Sequence, residues 1–508
     1  MLKVSEYCSD ARQKAEYFKK MALVTPIELK ECIRDNKGGC FSRDGKRLLA
    51  FENKNCTQYD IPDGVEVDGV EVICNRVFSD CESLVFITMP ESLKIIGNSA
   101  FENCGLVSLT LPDSVIALCN SAFCHCDHLQ SCSLPSQLTF LGAAVFAGCH
   151  QLHQLVLPTH LHTILGNPFA DTPICHIACL SKSFCVVNDM LLTADRRHLV
   201  SYWGHHEHAV LPEGLHCIGD SAFAFANELQ SLAIPASVQV IEPNAFSYCV
   251  HLTHVKLPPK LIEISDLVFF NCYGLVDIHL PEGIERIGAH SFESCHSLQQ
   301  IVIPNSVKEI GDQALYNCMG MRSVVIGSSL KNIGSHPFCG LNLEHLECLS
   351  PYFKYSHHAF LSKDGSILYG LCADIRQYKV PSGVEKICSM AFCNRRTLSS
   401  LVLPDSVEKI GKSAFANCVN LVTFKSGKNL HEIGDQAFFD CWSLNLMDLG
   451  TCPNSIGKDA LRNIYLLDTN GHTVYATNNK LRIFVPRGFE SQLSELIPEY
   501  SGQIFVKN

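Results

Sequence analysis

A chain of 508 residues with 47% hydrophobic content can bury a large core, yet it holds no unbroken apolar run long enough to cross a bilayer as a helix. A formal net charge of -11 lacks the basic footprint that nucleic acid or an anionic membrane requires of a main partner. One compact domain of this length would be unusual, whereas an elongated array has no such ceiling.

The first 25 residues mix charges throughout and lack a continuous apolar core, so no secretory signal is visible. The expectation is either an export signal outside this sequence or a protein that stays inside the cell. Residues 5 to 22 have helical spacing, and Thr25-Pro26-Ile27-Glu28 has the form of a capping box with Pro at the first helical position. Together these predict an N-terminal helical cap over residues 1–38. The segment GGCFSRDGKRLLAFE then places two apolar runs around a polar turn at Asp44-Gly45, which reads as a β-hairpin module over residues 39–61.

From Pro62 onward a 23-residue phrase returns fifteen times, and the copy from Pro304 to Ile326 reads PNSVKEIGDQALYNCMGMRSVVI. Repeats start at Pro62, Pro90, Pro112, Pro135 and Pro158, then at Pro212, Pro235, Pro258, Pro281, Pro304 and Gly327, then at Pro381, Pro404, Gly427 and Gly450. The first carries an insertion around Glu66 to Val70. A period of this length marks short units that bury their apolar side only against their neighbours, so the chain is a solenoid and function belongs to a repeated surface.

Each position within the repeat has its own chemistry. Position 4 is Val, Leu or Ile in nearly every repeat and position 7 is Ile in thirteen of fifteen, which reads as a short strand facing inward. Gly often follows, as at Gly97 and Gly311, where a sharp change of direction calls for a residue without Cβ. Phe occupies position 12 in thirteen repeats, predicting a stacked aromatic spine. The closing L-x-x-L-x-L-P is a strand ended by a residue that cannot extend it. Ten of the 28 cysteines sit at position 15, from Cys81 to Cys441. A thiol recurring once per repeat is read as a small buried hydrophobe over its own image, and parallel Cβ vectors disfavour bridging.

This pattern resembles the BspA-like (Treponema-type) leucine-rich repeat family, whose hallmark L-x-x-L-x-L-P-x-S-V-x-x-I-G-x-x-A-F-x-x-C is closely matched by LVLPDSVEKIGKSAFANC at 401 to 418 and VIPNSVKEIGDQALYNC at 302 to 318. The resemblance covers residues 62 to about 460. It implies a curved right-handed solenoid with a parallel β-sheet on its concave face, mostly β with short helical or 3-10 segments. It also implies a surface-exposed or secreted protein that binds host or partner proteins, although fold does not fix function.

Two related interruptions divide the array. Pro158 to Pro212 and Gly327 to Pro381 each span 54 residues, and within them SFCVVNDMLLTADRRHLVSYW and YFKYSHHAFLSKDGSILYGLC align without gaps. Their polar turns at Asp195-Arg196 and Asp364-Gly365 predict β-hairpin insertions at 180–211 and 349–380. The repeats then form subarrays at 62–179, 212–348 and 381–480, with a bend or change of curvature at each junction, because no Gly/Ser/Pro-rich tract occurs there. Residues 481–508 read strand, short helix, strand and form a C-terminal cap resembling the closing segment of the same family.

Sequence motifs for chemistry are few. His125, His128, His150, His153, His160 and His162, with Cys124, Cys126 and Cys149, have the residue types of a zinc site but not the spacing of a closed tetrahedral set. Trp203-Gly204-His205-His206-Glu207-His208 ends one insertion and reads most simply as a solvated polar loop. Neither a phosphate loop nor a nucleophile elbow occurs, so no catalytic, cofactor or metal residue is assigned and the protein is expected not to be an enzyme. The best functional surface is positions 20 and 22 of the L-x-x-L-x-L strands, which stacking sets side by side. The richest stretch carries His254, Lys256, Asp277, His279 and Gln300. The leading expectation is a protein-binding scaffold or adhesin at the cell surface, with a host, matrix or surface protein as partner and no membrane insertion. The alternatives are a glycan receptor using the same face and an intracellular scaffold. Phe86 is the only aromatic among the twenty-four face positions, which favours protein over sugar.

Overall fold

The computed structural model describes residues 6–62, 69–467 and 473–507, so most of the insertion noted at Glu66 to Val70 lies outside the described residues. It divides into two compact bodies, Met1–Leu261 and Ile262–Asn508.

In both bodies each repeat is one coil. The unit's Pro opens a turn in which the position-4 N–H donates to the Pro carbonyl, as Val115 does to Pro112 at 3.1 Å and Val307 to Pro304 at 3.2 Å. Two-residue strands follow and pair in parallel with the same residues of the next coil. In the N-terminal body the register runs Val72↔Ile95, Ile95↔Ala117, Ala117↔Phe140 and Phe140↔Thr163. In the C-terminal body it runs Glu263↔Arg286↔Glu309↔Asn332 and then Lys386↔Lys409↔Glu432↔Ser455. The glycine after this strand is required by crowding, not by a turn. A Cβ on Gly97 would stand 2.8 Å from the Asn75 nitrogen, and one on Gly411 would stand 2.4 Å from that of Ser389.

The A-F-x-x-C stretch is a chain of turns. Residues at positions 10 and 14 take left-handed backbone, with φ of 53° at Ser99 and 58° at Asn103, and of 52° at Gln313 and 60° at Asn317. Short polar side chains tolerate that region best. Between these two positions the Phe N–H donates to the next coil, from Phe101 to Ala122 at 2.8 Å and from Phe392 to Ala414 at 2.8 Å. The rings therefore stack. Phe78, Phe101, Phe123, Phe146 and Phe169 lie 4.8 to 6.4 Å apart and within 10° of parallel. Phe392, Phe415 and Phe438 form a similar column in the C-terminal body at 5.0 and 4.9 Å, with their planes inclined by 35° and 20°.

Each interruption is a three-stranded antiparallel meander whose third strand joins the array in parallel. His198–Tyr202 pairs with Cys217–Ile218, Ile367–Leu371 with Lys386–Ile387, and Arg47–Phe51 with Val72–Ile73. The Asp of each polar turn accepts from a hydroxyl two residues before it and an amide two residues after it. For Asp195 these donors are Thr193 at 2.7 Å and the Arg197 amide at 3.0 Å. For Asp364 they are Ser362 at 2.5 Å and the Ser366 amide at 3.0 Å, and these bonds hold its pKa down at about 2.

Helix α1 (Glu6–Met21) lies along the short-strand side of the N-terminal body. The Ala22 carbonyl just after it accepts from the Asn75 amide, the Phe18 ring lies 5.1 Å from Phe140, and Lys14 reaches the Thr163 hydroxyl at 2.8 Å. Arg12 extends the contact to Glu242 at 3.8 Å. Helix α2 (Pro26–Lys30) carries the capping box in full, with Thr25 and Glu28 exchanging both bonds. At the other terminus Arg482–Val485 pairs with Leu446–Asp448 and with Ile504–Val506, and helix α3 (Glu490–Leu496) connects the last two strands.

Candidate functional site

Strand alternation fixes which side chains face out. Along L-x-x-L-x-L the leucine positions are buried, as Val255, Ile278 and Ile301 show, and the residues on either side of each face solvent. His254 and Lys256 are exposed on one strand of the N-terminal body, in register with Ser231 and Ala233 of the preceding coil. The His208 ring meets the Ser231 hydroxyl at 2.7 Å, so His208, Ser231 and His254 follow one another along this ladder. Asp277, His279 and Gln300 belong to the C-terminal body and are exposed there. Gln300 stands beside Ser323, which stands beside His345, and Val302, Val325 and Glu347 run parallel to them. Of the sequence-derived set, His254 and Lys256 belong to the N-terminal body and Asp277, His279 and Gln300 to the C-terminal body.

The alternating tail of LRIFVP adds a further rung that counting repeats alone does not include. Leu446 and Asp448 are followed in register by Arg482 and Phe484, and Phe484 by Phe505. The two rings stack 5.5 Å apart, and Lys425 pairs with Asp448 at 3.7 Å on the same side. This end of the face is therefore charged and aromatic.

The histidine-rich stretch is distributed over separate local contacts. His150 lies 3.2 Å from Asp127 and 3.5 Å from Asp171, His153 meets the Pro173 carbonyl at 3.0 Å, and His160 meets that of Ser136 at 3.0 Å. Among the described residues no group of three or more His, Cys, Asp or Glu side chains is placed to hold a metal ion. The Trp203–His208 segment is only half a polar loop. Its histidines are exposed, with His206 3.3 Å from Asp189, but Trp203 is buried.

The position-15 cysteines are buried thiols and donors. Cys104 points to the Phe78 carbonyl at 3.0 Å, Cys126 to Phe101 at 3.1 Å and Cys318 to Phe292 at 3.0 Å. Among the described residues no cysteine is joined in a disulfide.

No curated protein sequence matches the chain. Among solved structures it is similar to a leucine rich cell surface protein from Faecalibacterium prausnitzii A2-165, at 23% identity over 60% of this chain and 94% of that one, with a TM-score of 0.40. It is also similar to a leucine-rich repeat protein from Bacteroides ovatus ATCC 8483, at 20% identity over 94% and 97% of the two chains, with a TM-score of 0.36. A third is a T. pallidum leucine rich repeat protein, at 26% identity over 47% of this chain and 88% of that one, with a TM-score of 0.27. The family described as BspA type leucine rich repeat region matches in six copies over residues 48–178, 216–344 and 365–479. With those matches spanning most of the coils, the chain belongs to the BspA-type leucine-rich repeat family.

Proposed function

We propose that this protein is a non-enzymatic interaction scaffold that binds a protein partner on the exposed face of its L-x-x-L-x-L strands, and that it works at a cell surface or in secreted form. One observation carries the reading. Positions 20 and 22 of successive coils are held by hydrogen-bonded parallel ladders at a fixed spacing of about 5 Å, so each body presents rows of donors, acceptors and charges on a rigid support. A preorganised surface of that kind binds without first paying for loop ordering. Mixed character also suits a protein surface. His254 and Lys256 sit beside Ser231 and Ala233, and Gln300 and Val302 beside Ser323 and Val325. The placement at a surface rests on family resemblance alone.

The test is an array of immobilised matrix and cell-surface proteins together with glycans, probed with the wild type and with two variants. Lys256→Ala alters the N-terminal body and Asp277→Ala the C-terminal body. Binding to a protein ligand that weakens about tenfold, or about 1.4 kcal/mol, in at least one variant is the expected result. Signals confined to glycans, or protein binding indifferent to both substitutions, would overturn the reading.

A further inference from the structure

The two junctions between subarrays are built alike, and at the second of them two cysteines stand where packing asks only for small side chains. Position 13 is Cys339 in the repeat before the insertion and Cys393 in the repeat after it. The gapless register that aligns the two insertions makes Ala170 and Ala224 their equivalents at the first junction. All four residues are buried, so alanine suffices to fill these places and the thiols are not there for volume.

The two sulfurs meet across the insertion. Cys339 and Cys393 form one buried cluster with Ala416, packed against Tyr316, Met390 and Phe439. The Cys339 Sγ lies 3.4 Å from the Cys393 carbonyl oxygen, and its S–H also donates to the Cys393 sulfur. This departs from the position-15 thiols, which point at a Phe carbonyl of the preceding coil, as Cys104 and Cys318 do. Polar bonds stitch the seam around the pair. Arg395 replaces the position-15 cysteine of its repeat, and its buried guanidinium donates to the carbonyls of Leu341 and Leu371. The Asn394 amide donates to the Tyr316 hydroxyl at 3.1 Å. Residues just after Cys339 are thereby tied to residues just after Cys393, which leaves the sulfurs little freedom to drift apart.

The pair is chemically unequal. S–H donation from Cys339, with the Arg395 guanidinium nearby, holds the Cys393 thiol below its ordinary range against the opposing effect of burial, while the same contact and burial push Cys339 up. Cys393 is thus the nucleophile and Cys339 the thiol that resolves. We infer that Cys339 and Cys393 are a redox pair that closes into a disulfide when a peroxide is present, locking the last repeat before the second insertion to the first repeat after it. The Cys393 thiolate attacks one oxygen of hydrogen peroxide, the O–O bond breaks, and the departing hydroxide takes up the proton that Cys393 had released, leaving a sulfenic acid and water. The Cys339 sulfur then attacks the sulfenic sulfur, and its proton leaves with the hydroxyl as a second water. Two thiols and one peroxide become one disulfide and two waters, the sulfurs losing the two electrons that the peroxide gains. A peroxide is small enough to reach buried thiols during local opening. The bond would close a loop of 54 residues, which removes freedom from the unfolded chain. None of this depends on what the exposed strands bind.

The test treats the full, reduced chain with hydrogen peroxide, alkylates the remaining thiols in denaturant and digests the product for mass spectrometry. A peptide pair joined through Cys339 and Cys393, separated again by dithiothreitol, is expected. The oxidised protein should melt about 5 °C or more above the reduced one and fall back on reduction. Cys339→Ala and Cys393→Ala should each abolish both changes, whereas Cys372→Ala, which removes another buried thiol of the same junction, should leave both in place. The exposed Cys175 reports that the oxidant has acted, and the wild-type digest decides the matter even where a variant fails to accumulate. The proposal is overturned if Cys175 is oxidised and no link between Cys339 and Cys393 forms. It is equally overturned if Cys393 bridges to Cys372 instead, or if the linked protein melts no higher than the reduced one.

Discussion

Cysteine recurs at position 15 because the site makes two demands together. The side chain must be small enough to stack on its own image, and it must give a proton to the Phe carbonyl of the preceding coil, as Cys295 does to Phe269 at 3.2 Å and Cys418 to Phe392 at 3.0 Å. Alanine satisfies only the first demand, so Cys295→Ala should cost about 1 kcal/mol in denaturant unfolding. Burial pushes the thiols of Cys126, Cys249, Cys318 and Cys418 up to about 12 from an ordinary value of 9.0. Their folded-state pKa exceeds the unfolded one, so the unfolded chain binds fewer protons between about 9 and 12 and stability falls as pH rises through that window. Below pH 9 this contribution is fully present. Melting followed at pH 8, 10 and 11 should show the decline, with a shallower slope in Cys318→Ala; a slope unchanged by that substitution would refute the assignment. At pH 8 a thiol reagent should modify the exposed Cys175 in the native protein and spare the stacked thiols until unfolding. The period of the sequence was enough to place these cysteines in the core. It carried no sign of the acceptor, because a backbone carbonyl 26 residues earlier leaves no mark in side-chain pattern.

At the level of elements, the meanders decide how one subarray meets the next. Their hairpins were legible from two apolar runs around Asp195-Arg196 and Asp364-Gly365, since the Asp turn is a local device. The parallel pairing of the third strand was not, because its partner, Cys217–Ile218 or Lys386–Ile387, is chosen by stacking and not by neighbouring sequence. Arg395 was likewise invisible as a structural residue, for a charged residue in place of cysteine reads as a surface exception. Its guanidinium bridges the Leu341 carbonyl, before the insertion, and the Leu371 carbonyl, at the end of the insertion's last strand, so Arg395→Ala should leave both unpaired beside a new cavity. A loss of about 3 kcal/mol or more is expected. Arg395→Lys should recover only part of it, because a single ammonium lacks the planar fork that serves two acceptors. Denaturant unfolding measures the total, and faster hydrogen exchange at the Leu371 amide, which pairs with Ala391, locates the damage. Equal stability of the alanine variant and the wild type would show that water already satisfies these carbonyls.

For the whole chain, the governing variable is register. Most repeat-to-repeat ladders in the C-terminal body advance by the same step, from Arg286 to Glu309 in the short strands and from Gln300 to Ser323 in the exposed ones. Each coil contacts chiefly its neighbours, so stability is close to a sum of coil and interface terms, and a coil can be removed if the step is respected. Deleting residues 281–303 brings Leu280 directly before Pro304, reproducing the L-P join that closes other coils. The strand at Glu263–Ile264 is then offered Glu309–Ile310 with Ile over Ile, and Phe269 is offered Leu315 in the spine. The shortened protein should fold, keep its β-type circular dichroism and unfold cooperatively. Deleting residues 281–292 instead removes about half a coil and sets polar positions against the core, since a slip in pairing turns buried side chains outward. That variant should lose cooperative melting or fail to accumulate. The two deletions share a starting point and differ in whether the remainder is a whole number of coils, so equal stability of both would show that stacking in register is not what holds this molecule together.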